Sequence, residues 1–194
     1  AAEVFGVLPL SVGPEARRRA KAVNFGIVYG LSAFGLSQQL GIPVSDSKKY
    51  IDDYFERYSG VKAFIDSTLQ QVRRSGITRT LFGRLRPIPE MDSRNPAQRG
   101  FAERTAVNSP IQGSAADLIK LAMIRVDQRL RDEAREALML LQVHDELLFE
   151  VPEAETDAVA RLVKKEMEGV YDLKVPIVAD VKVGQNWRDM ERVG

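Results

Sequence analysis

Four residues of the segment RRRAKAVNFGIVYG, namely Arg17, Lys21, Phe25 and Tyr29, follow one another at four-residue intervals. On a helix such a row forms one slowly drifting ridge. A rise of ~1.5 Å per residue sets Phe25 about 12 Å from Arg17, the scale of a nucleotide from base to terminal phosphate. The ridge is chemically ordered. Two cations suit phosphate, arginine through bidentate contact and lysine as a compact point charge. An aromatic ring then gives a base or sugar something to lean on. Gly26 and Gly30 leave one side thin, where a base pair or another helix could approach. A glycine inside a helix costs ~1 kcal/mol against alanine, so Gly26 needs a reason. The same row also reads as a solvated basic face with two core aromatics, and spacing alone favours that plainer reading.

His144, Asp145 and Glu146 interrupt two apolar runs, ALMLLQV and LLFEV. Adjacent carboxylates at a hairpin tip can bind a hard cation such as Mg²⁺, which takes oxygen ligands and keeps several waters; a polar turn with no ligand has the same appearance. His144 is the only histidine and there is no cysteine, which argues against a histidine or thiolate metal site and excludes disulfide scaffolds. Arg104, Asn108 and Gln112 form another row at four-residue spacing, either a set of side-chain donors or a plain polar helix face.

The elements that must position these residues are mostly helical. Glu15 to Tyr29 has helical spacing and stops at Gly30. Ser32 to Leu40 is a second helix, closed by Gly41 and Pro43; Ser45 caps a third, and a fourth runs from about Gly60 to Arg74. ITRTLFGRLRPIP reads as a small hairpin turning at Gly83. Pro96 opens a helix to about Asn108. Pro110 interrupts it, and a long helix follows from about Gly113 to Arg135. The HDE hairpin, an amphipathic helix from Pro152 to Tyr171 and a half-buried strand in PIVADVKVG complete the chain, with Trp187 packed near the C-terminus. The expected class is α+β, predominantly helical. With 194 residues, 44% hydrophobic, the chain can build a real core. A net charge of +1 confines any nucleic-acid attraction to local patches. No apolar run approaches the ~20 residues of a membrane span and no signal peptide is evident, so no membrane partner and a cytosolic setting are expected.

The run Arg17, Lys21, Phe25, Tyr29, Gly30 resembles the fingers motif of family A DNA polymerases, the bacterial DNA polymerase I type. LLQVHDELLFEVP resembles the palm metal motif of the same family, and RTAVNSPIQGSAADLIK resembles its DNA-contacting segment. The resemblance covers essentially the whole chain. It implies a helical fingers subdomain over residues 1–95 and an antiparallel-sheet part of a palm over residues 96–194. It implies template-directed addition of deoxynucleoside triphosphates to a primer 3′-hydroxyl, in replication and repair in a bacterial cytosol or nucleoid. Arg17 and Lys21 would hold the triphosphate, Phe25 would stack on the nucleotide, and Tyr29 would guard the templating position. Phe rather than Tyr at position 25 implies discrimination against a sugar lacking its 3′-hydroxyl. Asp145 would be a direct metal ligand with Glu146 as supporting acid, in a two-metal Mg²⁺ site, and His144 would lie by the primer terminus. Arg104 and Gln112 would contact the primer–template minor groove, whose acceptors are alike for every correct pair, with Asn108 holding that surface. Arg84 and Arg86 resemble the FGRxR hairpin near DNA backbone.

Such a site needs a second aspartate, in a DYSQIE-like strand before the nucleotide helix. Only Glu3 and Glu15 are acidic among the 24 residues before Phe25. The opening AAEVFGV resembles the segment that follows that strand. The rest of the polymerase chain, first palm strand and thumb, is therefore an expected partner, and the chain alone is expected to bind weakly without extending a primer. The alternatives are a non-catalytic DNA-binding module reusing the fold and a metal phosphohydrolase on His144–Asp145, for which no other histidine exists.

Overall fold

The computed structural model describes residues 1–2, 7–133 and 135–193; residues 3–6 of the AAEVFGV segment lie outside them. The chain divides into two compact units, Ala1–Gln112 and Gly113–Gly194. The division lies within a helix.

In the first unit, helix α1 spans Pro14–Val28. Proline suits its first position because the missing N–H would have no helical partner there. Ala20, Val23 and Ile27 are buried on one side of it, whereas Arg17, Lys21 and Phe25 are exposed. Helix α2, Ala33–Leu40, is capped by the Ser32 hydroxyl, which accepts from the Gly35 N–H, and ends at Gly41 with a left-handed φ of 65°. Helix α3 spans Val44–Arg57. Ser45 does not cap it: Pro43 takes the cap position, its carbonyl accepts the Ser47 N–H, and Ser45 lies inside the first turn, bonded to Asp46. Val23, Ile27, Leu36 and Tyr54 form the core of these helices, and the Tyr54 hydroxyl donates to Asn24 Oδ1 at 2.9 Å.

Helix α4, Ser59–Ser75, ends at Gly76, also left-handed. It leads into the expected hairpin of β1, Ile77–Arg79, and β2, Leu85–Pro87, turning at Gly83 with φ 82°. A second core gathers Val72, Ile88, Met91, Ala102 and Ala106.

Helix α5 corrects the sequence reading. It runs unbroken through Pro96–Asp132 with Pro110 inside it. Proline removes the N–H that would serve the carbonyl four residues back, that of Ala106. The buried Thr78 hydroxyl from β1 donates to that carbonyl at 3.3 Å, so the break leaves no orphaned acceptor.

In the second unit, Val126, Leu130, Ala137, Val159, Leu162 and Val163 form the core. Strands β3, Leu138–Val143, and β4, Glu146–Glu150, pair antiparallel with an irregularity between Met139 and Leu141. Helix α6 is Thr156–Glu168, and β5, Val181–Val183, pairs with β6, Glu191–Val193. Of the strand expected over PIVADVKVG only Val181–Val183 forms, and one further expectation fails. Pro176 to Asp180 form no strand among the described residues, because an alternating pattern becomes a strand only where a hydrogen-bonding neighbour lies beside it. Trp187 is half exposed rather than packed. Among the described residues no helix is long and apolar enough to cross a membrane.

Two stability predictions follow from these contacts. Thr78→Val should cost about 1–2 kcal/mol by orphaning the Ala106 carbonyl. In a Pro110→Ala background, where a backbone N–H returns, the cost should fall clearly, as a denaturation double-mutant cycle would read. Burial, with a smaller contribution from Tyr58, pushes the Tyr54 phenol above its ordinary 10.0. The fold therefore favours the protonated form, so this stabilisation is complete below about pH 10 and is lost as pH climbs through the raised value. Tyr54→Phe should cost about 1 kcal/mol at neutral pH and flatten the alkaline loss; an unchanged alkaline slope would contradict the assignment.

Candidate nucleotide and nucleic-acid site

The three consecutive arginines of α1 are not equivalent. Arg18 pairs with Glu15 at 2.7 Å, and Arg19 donates to the Leu40 carbonyl at the end of α2. Arg17 and Lys21 have no ion-pair partner among the described residues. Lys21 Nζ instead lies 5.6 Å from the centroid of Phe25, and Phe25 stacks on Tyr29 with centroids 6.0 Å apart and planes 13° from parallel. Phe25 is 44% exposed, so it is not a core residue. The ridge is therefore two cations with no ion-pair partner among the described residues, followed by a stacked aromatic pair.

The end of α1 is closed by a two-bond turn. The Leu31 N–H donates to Gly26 O at 2.7 Å and the Gly30 N–H to Ile27 O at 3.0 Å. This pattern requires a left-handed residue after the cap, and Gly30 has φ 76°. Gly26 was expected to leave room for a base pair or another helix, but Leu31 fills that space. A Cβ on Gly26 would lie 2.8 Å from one Leu31 methyl, and a Cβ on Gly35 2.7 Å from the other. Leu31 was missed at the sequence level, although its place immediately after a helix-ending glycine is where such turns carry an apolar contact. At Gly30 the close neighbour is Arg104, whose Cγ would lie 3.2 Å from a Cβ there.

Arg104, Asn108 and Gln112 follow one another on α5, as expected. Arg104 and Gln112 are exposed. Asn108 is half-buried, and its amide oxygen is buried without a hydrogen-bond partner among the described residues. Arg84 and Arg86 are exposed on the β1–β2 hairpin.

In the second unit, His144 and Asp145 make a two-residue turn, and Glu146 is not at its tip but the first residue of β4, opposite Val143. His144 has φ 54°, at a turn position where glycine is usual. The Gln142 amide donates to the His144 carbonyl and ties the turn to β3. Asp145 and Glu146 are both exposed. Their oxygens are the donor type that a hard cation takes. No group of three or more His, Cys, Asp and Glu that could hold a metal occurs among the described residues. Asp145 and Glu146 thus offer two exposed carboxylates but no complete metal site among the described residues.

The sequence profile of DNA polymerase family A matches residues 1–189. The chain belongs to this family. DNA polymerase I of Caldicellulosiruptor bescii is 52% identical over 96% of the chain, and the thermostable DNA polymerase I of Thermus aquaticus is 49% identical over 95%. Each match takes up 22% of the relative, so the chain spans about a fifth of the length of these family A enzymes. The polymerase domain of Pol1 from M. smegmatis, solved in complex with DNA primer-template and dNTP, superposes with a TM-score of 0.85 at 48% identity. That likeness covers 90% of this chain and 31% of that one. The predominantly helical α+β fold is thus that of fingers and palm elements in a family A polymerase domain.

The positive φ at His144 carries its own prediction. A non-glycine residue in this region is strained by about 1–2 kcal/mol. His144→Gly should therefore be neutral or stabilising by up to about 1 kcal/mol, whereas glycine elsewhere in a strand interior destabilises. A thermal melt showing a clear loss would mean the side chain carries a compensating contact.

Proposed function

We propose that the chain supplies the nucleotide-binding and part of the metal-binding face of a DNA-directed DNA polymerase. The observation that carries this is the exposed ridge of α1, where Arg17 and Lys21 have no carboxylate partner among the described residues and run into the Phe25–Tyr29 stack. Arg17 and Lys21 hold the triphosphate of an incoming deoxynucleotide. Phe25 bears the nucleoside, displacing the ammonium of Lys21 from its ring toward the phosphates. Tyr29, at the closed end of the helix, guards the templating position. Arg104 and Gln112 read the minor-groove edge of the primer–template, a surface that Asn108 helps to hold, and Arg84 meets backbone phosphate. His144 lies by the primer terminus.

The chemistry is displacement at the α-phosphate by the primer 3′-hydroxyl, with pyrophosphate leaving. Asp145, supported by Glu146, would hold Mg²⁺, which when bound neutralises charge on the attacking and leaving oxygens. Lys21 adds positive charge beside the leaving phosphates. The work is in replication and repair in the bacterial cytoplasm, together with the rest of a longer polymerase chain. The chain by itself binds nucleotide and DNA weakly and does not extend a primer, since Asp145 and Glu146 are one neighbouring pair of carboxylates.

Primer extension tests both parts. The 194-residue chain with Mg²⁺ should give no extension; robust extension would refute the account of its metal site. In a longer polymerase carrying this chain, Asp145→Ala should lower extension by about 10²–10³-fold, the scale for losing one charge-stabilising group, while DNA binding is kept. Unchanged extension would remove the metal role and favour a non-catalytic DNA-binding module.

A further inference from the structure

Arg104 is assigned to DNA by its guanidinium, yet its methylenes make a separate contact. A Cβ on Gly30 would lie 3.2 Å from Arg104 Cγ and 4.0 Å from Cδ. The stem thus lies over the glycine that closes the nucleotide helix. A Cβ on Gly100, one turn earlier on α5, would lie 3.5 Å from Arg104 Nη1, so the side chain leans toward the helix N-terminus, as long helical side chains do. The neighbouring acid does not claim it, because Glu103 pairs with Arg73 at 2.8 Å. Arginine stems commonly pack on apolar or backbone surface while the charged head stays in water.

We propose that Arg104 is a positioning residue for the nucleotide helix as well as a DNA contact, the two roles residing in different halves of its side chain. The stem braces the Tyr29–Gly30–Leu31 turn and so fixes the aromatic stack that the nucleotide meets. The guanidinium is left for DNA. Holding the guanidinium also steadies the stem, so DNA binding tightens nucleotide binding, and by linkage the reverse holds equally. No bulkier residue at position 30 allows this, because its φ of 76° and the close stem both exclude a side chain.

This inference rests on the proposed nucleotide role of α1, and two variants separate its parts. Arg104→Met keeps most of the stem and loses the guanidinium; Arg104→Ala loses both. Amide hydrogen exchange at Gly30 and Leu31 and titration with a fluorescent deoxynucleoside triphosphate, with and without primer–template duplex, are read on the 194-residue chain. Both variants should weaken DNA binding alike. Arg104→Ala should also speed exchange at the two amides about tenfold and weaken nucleotide binding about fivefold or more, within the usual range of such couplings. Without duplex, Arg104→Met should restore both to near the parent values; with duplex it should lack the tightening of nucleotide binding that the parent shows. Equal effects of Met and Ala, or no effect of Ala on the two amides, would overturn the proposal. Exchange that follows the stem while no variant binds nucleotide would uphold the brace and count against the nucleotide role of α1.

Discussion

The two backbone hydrogen bonds that close the last turn of α1 set what the rest of that helix can present. Leu31 N–H to Gly26 O and Gly30 N–H to Ile27 O stop the helix at Val28, with Tyr29 as its cap and Gly30 turned left-handed. Upstream, Val23 and Ile27 are almost fully buried. Each such side chain contributes about 1.5–3 kcal/mol, which outweighs the ~1 kcal/mol that Gly26 costs inside a helix. A helix held along its buried side and stopped at a defined residue fixes the opposite side as well. The exposed row Arg17, Lys21, Phe25 then has one orientation, and the ring of Tyr29 has one place.

Charge is allocated along the same helix by how each cation is employed. Arg18 is neutralised by Glu15, and Arg19 serves the open carbonyl end of α2, where cations are favoured. That leaves Arg17 and Lys21, four residues apart. A net charge of +1 over the whole chain is no obstacle to binding a triphosphate when the local cations are uncommitted, since attraction over more than ~10 Å is screened at ordinary salt. The cation–π contact of Lys21 with Phe25 keeps the ammonium over the ring while it lacks a phosphate partner.

Much of this was legible because the relevant signals are local. Glycine stops at Gly30, Gly41 and Gly76 mark helix ends, and the turn at Gly83 needs a positive φ. The four-residue row of α1 follows from helical periodicity alone. What was not legible depended on distant partners. Gly26 was flagged as costly, but that Leu31 fills its space depends on the turn that folds Leu31 back. Ser45 was taken for a cap because serine caps well, yet the Pro43 carbonyl had already taken the first helical hydrogen bond. Glu146 was placed at the hairpin tip, but strand pairing with Val143 draws it into β4. The alternating PIVAD run had no neighbouring strand among the described residues, and a pattern without a ladder partner stays irregular.

The reading of Pro110 as a break shows best how a distant contact decides function. Proline inside a helix ordinarily costs ~3 kcal/mol, and the local argument for a break there is sound. A break between Asn108 and Gln112 would have turned the two out of register. Instead Thr78, delivered by the β1–β2 hairpin, donates to the Ala106 carbonyl that Pro110 cannot serve. Its neighbour Ala106 is fully buried beside Ala102 in the second core. The helix therefore continues, and Arg104, Asn108 and Gln112 stay in one row. The hairpin that carries Arg84 thus also satisfies the carbonyl that Pro110 leaves open. The continuity on which the row depends is supplied by a side chain thirty-two residues before Pro110, which no reading of the row itself could contain.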